Sequence, residues 1–115
     1  MSGTSWIMIA GPYRSGSSSH EARAARLRLL NEAALAVFER GHVPIIGVNL
    51  ALPIIETAGE AHYDRIMMSV SLALAERCDA ILRLGGGSAG ADEEVERVRA
   101  RGGRVYLSVE EIPEV

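Results

Sequence analysis

Trp6-Ile7-Met8-Ile9-Ala10, closed by Gly11-Pro12 and running on through Tyr13-Arg14-Ser15-Gly16, is the stretch that decides the fold. Five apolar residues in a row, β-prone and without polar alternation, describe a strand buried on both faces, as in a parallel sheet. A polar turn, Ser15 to Ser19, follows, and Ser18 with Glu21 three residues on has the form of a capping box that opens a helix. Ala22, Ala25, Leu29, Ala33 and Val37 recur at helical spacing as a core-facing stripe, and Gly41 supplies a left-handed stop.

The same alternation repeats along the chain. His42-Val43-Pro44-Ile45-Ile46 reads as a second strand, kept to an edge or a strand end by Pro44. Residues 47–59 read as a long connection with at most a short helix, and the apolar stretch Val48 to Ile55 is placed outside the regular elements as a candidate interface. Residues 61–77 form the next helix, with Ile66, Val70 and Leu74 at i, i+4, i+8. Ala80 to Leu84 is a third strand, a helix runs from about Gly90 to Arg101, and Arg104 to Val109 is the last strand. Strands alternating with helices predict a small three-layer, doubly wound parallel α/β sheet. Residues 1–115 form one domain. Ligands of such sheets lie beyond the carboxyl ends of the strands, where this sequence puts two unusual loops, Gly11 to Ser17 and Gly85 to Gly90.

Composition narrows the chemistry. A net charge of −3 argues against a nucleic-acid polymer or an anionic membrane surface as partner. No apolar run approaches the roughly 20 residues of a membrane helix, and no basic leader precedes the first apolar run. One cysteine, Cys78, excludes an internal disulfide and fits a reducing cytoplasm; before a strand, it reads as a buried small apolar residue. All twelve basic residues are arginine, which excludes a Schiff-base or Walker-type lysine. His20, His42 and His62 have no metal spacing and read as surface or loop histidines, so no metal and no cofactor is expected.

The first loop, on composition, is a plain turn, yet its residues also suit a ligand. Gly11 and Gly16 admit close backbone approach, Tyr13 can stack on a base, and Arg14 offers a planar fork for phosphate or carboxylate. The second loop, Gly85-Gly86-Gly87-Ser88-Ala89-Gly90, leads into Asp92-Glu93-Glu94. Free amides at a helix N-terminus hold anions, and Ser88 adds a hydroxyl. Asp92 and Glu93 are accounted for by the helix dipole. Glu94 lies four residues after Gly90 and four before Val98, on the inward face, as a structural acid or as a nucleophile or base. Gly86 to Gly90 matches GxSxG, but every histidine precedes Ser88, against the hydrolase order, so the match follows from glycine richness. Asp64 and Ser71 share a helix face, Asp64 reading as solvated; Met67-Met68 reads as core filler.

Ile7-Met8-Ile9-Ala10-Gly11-Pro12-Tyr13-Arg14-Ser15-Gly16 resembles the opening of nucleoside 2-deoxyribosyltransferase-like proteins, most of all the short bacterial and phage members with an AGPYRG-like loop. The resemblance continues through Ala33-Ala34, Gly41-His42-Val43-Pro44, Leu74 with Cys78-Asp79-Ala80-Ile81-Leu82, and Ser88-Ala89-Gly90 with Glu94, over nearly the whole chain. It implies a flavodoxin-like sheet and cleavage or transfer of the N-glycosidic bond of a 2'-deoxynucleoside or its 5'-monophosphate. Glu94 would attack the anomeric carbon, as the nucleophile of a retaining glycosidase does. Ser88 and Gly90 would hold a phosphate, with Gly11, Tyr13, Arg14 and Gly16 completing the substrate site. The resemblance also implies a homodimer or homotetramer. One position departs: active relatives carry an aspartate eight residues before the one matching Asp79, and here that residue is Ser71. A serine is a poor proton donor at neutral pH, and Asp64 lies about 10 Å away along the helix. Two further readings therefore stand beside the enzyme: a nucleotide-sensing module that binds without chemistry, and a structural subunit of an assembly.

Overall fold

The computed structural model describes residues 3–14 and 19–115. Among these residues four strands and four α-helices follow in the order β1 (Trp6–Ala10), α1 (His20–Glu39), β2 (Val43–Ile45), α2 (Gly47–Ala58), α3 (Tyr63–Ala75), β3 (Ala80–Arg83), α4 (Ala89–Ala100) and β4 (Arg104–Tyr106), with α2 and α3 consecutive. Short 3-10 turns precede α3 and follow β4. All pairings are parallel, in the order β2-β1-β3-β4, with Ile7 opposite Pro44 on one side and Ala80 on the other. This is the expected parallel α/β sheet, compatible with a flavodoxin-like arrangement.

The pleat divides the core. Ile7, Ile9, Ala80 and Leu82 point to the layer of α1, against Leu30, Val37 and the C-terminal Ile112. Met8, Ala10 and Ile81 point the other way, against Ala75 and Cys78 at the end of α3 and Ala91, Val95 and Val98 of α4. A third cluster joins α2 to α3 through Ala51, Ile55, Tyr63 and Ile66. Chain order reverses beside β1: the path leaves it for β2 and returns across it to β3, so the neighbouring strands β1 and β3 feed helices on opposite faces, α1 on one and α4 on the other, from the same carboxyl end.

Three local expectations are corrected. The stripe of α1 is met in part and rotated in its middle: Val37 is buried and Ala33 packs on the core as expected, but Leu30, at 3% exposure, takes the place of Leu29, which stands out at 62%. Leucines at both positions and alanines around the helix leave its phase ambiguous, and packing on Ile7 and Ile9 selects it. The cap of α1 is Ser19, whose Oγ accepts from Ala22 N at 3.1 Å; Ser18 lies outside the described residues. Residues 47–58 form a full helix, α2, despite Pro53 within it, because burying Ala51 and Ile55 against α3 outweighs the lost backbone hydrogen bond. The apolar stretch from Val48 to Ile55 is thus part of a helix, with Val48, Ala51, Leu52 and Ile55 turned inward and Asn49, Leu50, Pro53 and Ile54 exposed.

At the amino-terminal end of the sheet the polar groups are all engaged. His42 is buried, not a surface histidine: its Nδ1 accepts from Ser5 N at 3.0 Å and its Nε2 lies 2.7 Å from the Pro113 carbonyl, which fixes the tautomer as Nε2–H. Asp79 Oδ2 accepts from Trp6 N at 2.8 Å and Asp79 N donates to Trp6 O at 2.8 Å, pinning β1 to the start of β3. Cys78 is buried, as expected, and burial pushes its thiol up to about 11.

Candidate functional site

The loops after β1 and β3 meet because glycines allow it. A Cβ on Gly11 would lie 2.7 Å from the Leu84 carbonyl oxygen, and Leu84 N donates to Ala10 O at 2.8 Å. Gly85 has φ +76, and a Cβ there would lie 2.9 Å from Pro12 Cδ. Arg83 fastens the second loop from below, donating to Leu84 O at 2.7 Å, to Gly86 O at 3.0 Å and through two nitrogens to Asp92 Oδ1 at 3.1 and 3.2 Å. Asp92 therefore has a partner beyond the helix dipole. Ser88 caps α4, its Oγ accepting from Ala91 N at 3.2 Å, which leaves the hydroxyl proton free to donate.

A cavity of about 520 Å³ opens at this end of the sheet. Its floor is Ile9 and Ala10 of β1, and its sides are the β1 loop, the start of α2, one face of α3 and the start of α4. Gly11, Tyr13, Arg14, Ser71, Ser88, Gly90 and Glu94 all line it. Gly16 lies outside the described residues.

Glu94 is partly buried on the inner side of α4 and has no hydrogen-bond or ion-pair partner among the described residues. Removal from water pushes its carboxyl from 4.5 up to about 7, and the charge of Arg83 offsets only part of that. A carboxyl so shifted, bordering a cavity, marks a candidate functional group. Ser71 is 2% exposed, and its hydroxyl has one weak partner, the Met67 sulfur at 3.9 Å. It lies against Gly47: a Cβ there would come within 2.4 Å of Ser71 Oγ and 3.3 Å of its Cα. Glycine at the first turn of α2 lets α2 and α3 close to this distance.

Tyr63, Gly47, Val48 and Leu30 line the cavity without having been picked out in the sequence. Tyr63, Met67 and Ser71 fall at i, i+4, i+8, and this face of α3 is the signal that finds them. Met67 and Met68 are cavity wall, and exposed Asp64 also reaches it. Tyr63 is 7% exposed; burial raises its phenol pKa, with Tyr13 adding to the rise and Arg14 opposing it, so the hydroxyl is neutral. Over its ring stands the Arg14 guanidinium, 4.0 Å from the centroid, with Glu60 Oε1 at 3.9 Å from Nη2. His20 and His62 are exposed, and among the described residues no three His, Cys, Asp or Glu side chains gather as a metal-binding group. No helix among the described residues is long and apolar enough to cross a membrane.

No protein-family model matches the chain, and a search of curated proteins finds no match either.

Proposed function

We propose that the protein cleaves or transfers the N-glycosidic bond of a 2'-deoxynucleoside or deoxynucleoside 5'-monophosphate, with Glu94 as nucleophile. The observation that carries this reading is Glu94 itself: a desolvated, unpartnered carboxylate facing a cavity that also holds an arginine, two tyrosines and a capped helix N-terminus. The base would lie against Tyr13 and the apolar wall of Met67, Met68 and Val48. The sugar C1' would face Glu94, and Arg14 with the Ser88 hydroxyl and the Gly90 backbone would take the 5' end.

In the reacting complex a Glu94 oxygen forms a bond to C1' as the C1'–N bond breaks, and the electron pair leaves with the base, which takes a proton from water. An ionised carboxylate in a poorly solvated site stabilises the positive charge that develops on the sugar. Water or a second base then attacks C1' and releases Glu94. Because the reactive form is the carboxylate, the rate rises with pH through about 7. The resemblance to nucleoside 2-deoxyribosyltransferase-like proteins supports the same assignment, together with a homodimer or homotetramer; a single reduced cysteine favours the cytoplasm.

One observation favours a second reading, a nucleotide-binding module without turnover. Ser71, in place of an aspartate, contacts only a sulfur and supplies no acid to the leaving base. Incubation with the deoxynucleoside 5'-monophosphates and the free deoxynucleosides, with detection of released base, separates the two. Release that Glu94→Ala abolishes supports the enzyme. Binding of intact nucleotide by calorimetry, with no release at any pH from 6 to 9, supports the module.

A further inference from the structure

Arg14 is the one basic residue among those lining the cavity, and its direction is set by a ring. The segment it belongs to is loop, so its backbone leaves the guanidinium with many orientations. Tyr63 removes that freedom. Its ring is anchored at the first position of α3 within the cluster of Ala51, Ile55 and Ile66, and the guanidinium carbon stands over it, 4.0 Å from the centroid. The guanidinium also interacts with the Tyr63 hydroxyl, and with five N–H donors in its fork it keeps others for an acceptor. The other contact of Arg14, with Glu60, is long at 3.9 Å and solvent-exposed on both sides, so a stronger anion displaces it at little cost.

We propose that Tyr63 is a positioning residue which, by holding the Arg14 guanidinium in place at the cavity wall, makes the site select ligands bearing a 5'-phosphate over their unphosphorylated counterparts. This rests on the nucleoside or nucleotide reading of the cavity, though not on turnover. A phosphate dianion accepts two parallel N–H bonds from the guanidinium edge, and only a guanidinium fixed before binding gives that pairing without an ordering cost. A free deoxynucleoside offers only a neutral 5'-hydroxyl there, which accepts a single, weaker hydrogen bond.

The test is calorimetry of wild type, Tyr63→Leu, Tyr63→Phe, Arg14→Lys and Glu60→Gln with dAMP, dGMP, dCMP and dTMP and with the four matching deoxynucleosides. Wild type is expected to bind at least one monophosphate about tenfold or more tighter than its nucleoside, as a bidentate charge-assisted pair allows. Tyr63→Leu and Arg14→Lys lose most of that ratio, because the monophosphate loses far more affinity than the nucleoside. Tyr63→Phe keeps the ring and most of the ratio, and Glu60→Gln raises it by about two- to threefold through the loss of a competing anion. A ratio near one in wild type overturns the proposal, as does a folded Tyr63→Leu that keeps the wild-type ratio. If Tyr63→Leu does not fold, Arg14→Lys decides: it keeps the charge and loses the stacked fork, so a wild-type ratio there also overturns it. Phosphate selection without base release removes the catalytic reading and leaves this one standing. Base release indifferent to phosphate does the reverse.

Discussion

The two ends of the sheet treat their polar groups in opposite ways. At the amino-terminal end, both nitrogens of His42 and the Asp79 carboxylate are bonded to backbone partners, so burial there is compensated. At the carboxyl end, Glu94 is half withdrawn from water with no partner among the described residues, and the Ser71 hydroxyl faces a thioether. A fold made only for stability would place the second set like the first. The difference teaches that one end ties the chain together with backbone hydrogen bonds, while the other leaves a half-buried carboxylate and a weakly bonded hydroxyl beside a cavity, which is the arrangement the proposed ligand site would need.

The comparison is broken most severely at Glu94. Glu94→Gln keeps shape and removes charge; base release by the enzyme proposed here is expected to fall about a thousandfold or more. Its stability moves the other way. Ionisation of a group at about 7 in the folded chain and 4.5 when unfolded destabilises the fold as pH rises between those values. Glu94→Gln therefore melts several degrees above wild type at about pH 8, and the gap closes below about pH 4.5, which thermal melts across pH read directly. A wild-type melting point indifferent to pH over that window, with no gain in the variant, would show that Glu94 is compensated after all.

The amino-terminal end gives the next effect. His42→Ala strands the Ser5 amide and the Pro113 carbonyl and is expected to lower unfolding free energy by about 2–4 kcal/mol in urea titrations, with ligand affinity of the remaining folded protein unchanged. Gly47→Ala drives a methyl into Ser71 and should cost about 1–3 kcal/mol. Adding Ser71→Ala, which removes the closest atom, returns part of that loss, and a double-mutant cycle measures the coupling. Smallest is Ser71→Ala alone, within about 0.5 kcal/mol of wild type, because a hydroxyl bonded only to sulfur contributes little. A large loss there would reveal a partner for Ser71 and bring the two ends closer in kind.

The strand pattern made the parallel α/β layout legible, because a run such as Trp6 to Ala10 fits few other environments, and the glycines of Gly85 to Gly87 marked a loop at a strand end. The inward phase of Glu94 followed from its spacing to Gly90 and Val98. Three things were not legible. The rotation of α1 was hidden by Leu29 beside Leu30, where only the sheet surface decides which enters. Helix α2 was hidden by Pro53, a local penalty that burial on α3 overrides. The role of His42 was hidden because its partners, Ser5 and Pro113, lie 37 and 71 residues away in the chain. Tyr63 is a different case: its spacing to Met67 and Ser71 on α3 marks it as cavity wall, while its contact with Arg14, 49 residues earlier in the chain, is visible only in the fold.

Arg83 has a kinetic consequence. Its guanidinium bridges two carbonyls of its own loop and a carboxylate on the next helix, so the glycine turn is shaped before any visitor arrives. The association proposed above would then proceed as near rigid-body docking, and free and occupied forms should superimpose at Gly85 to Gly87.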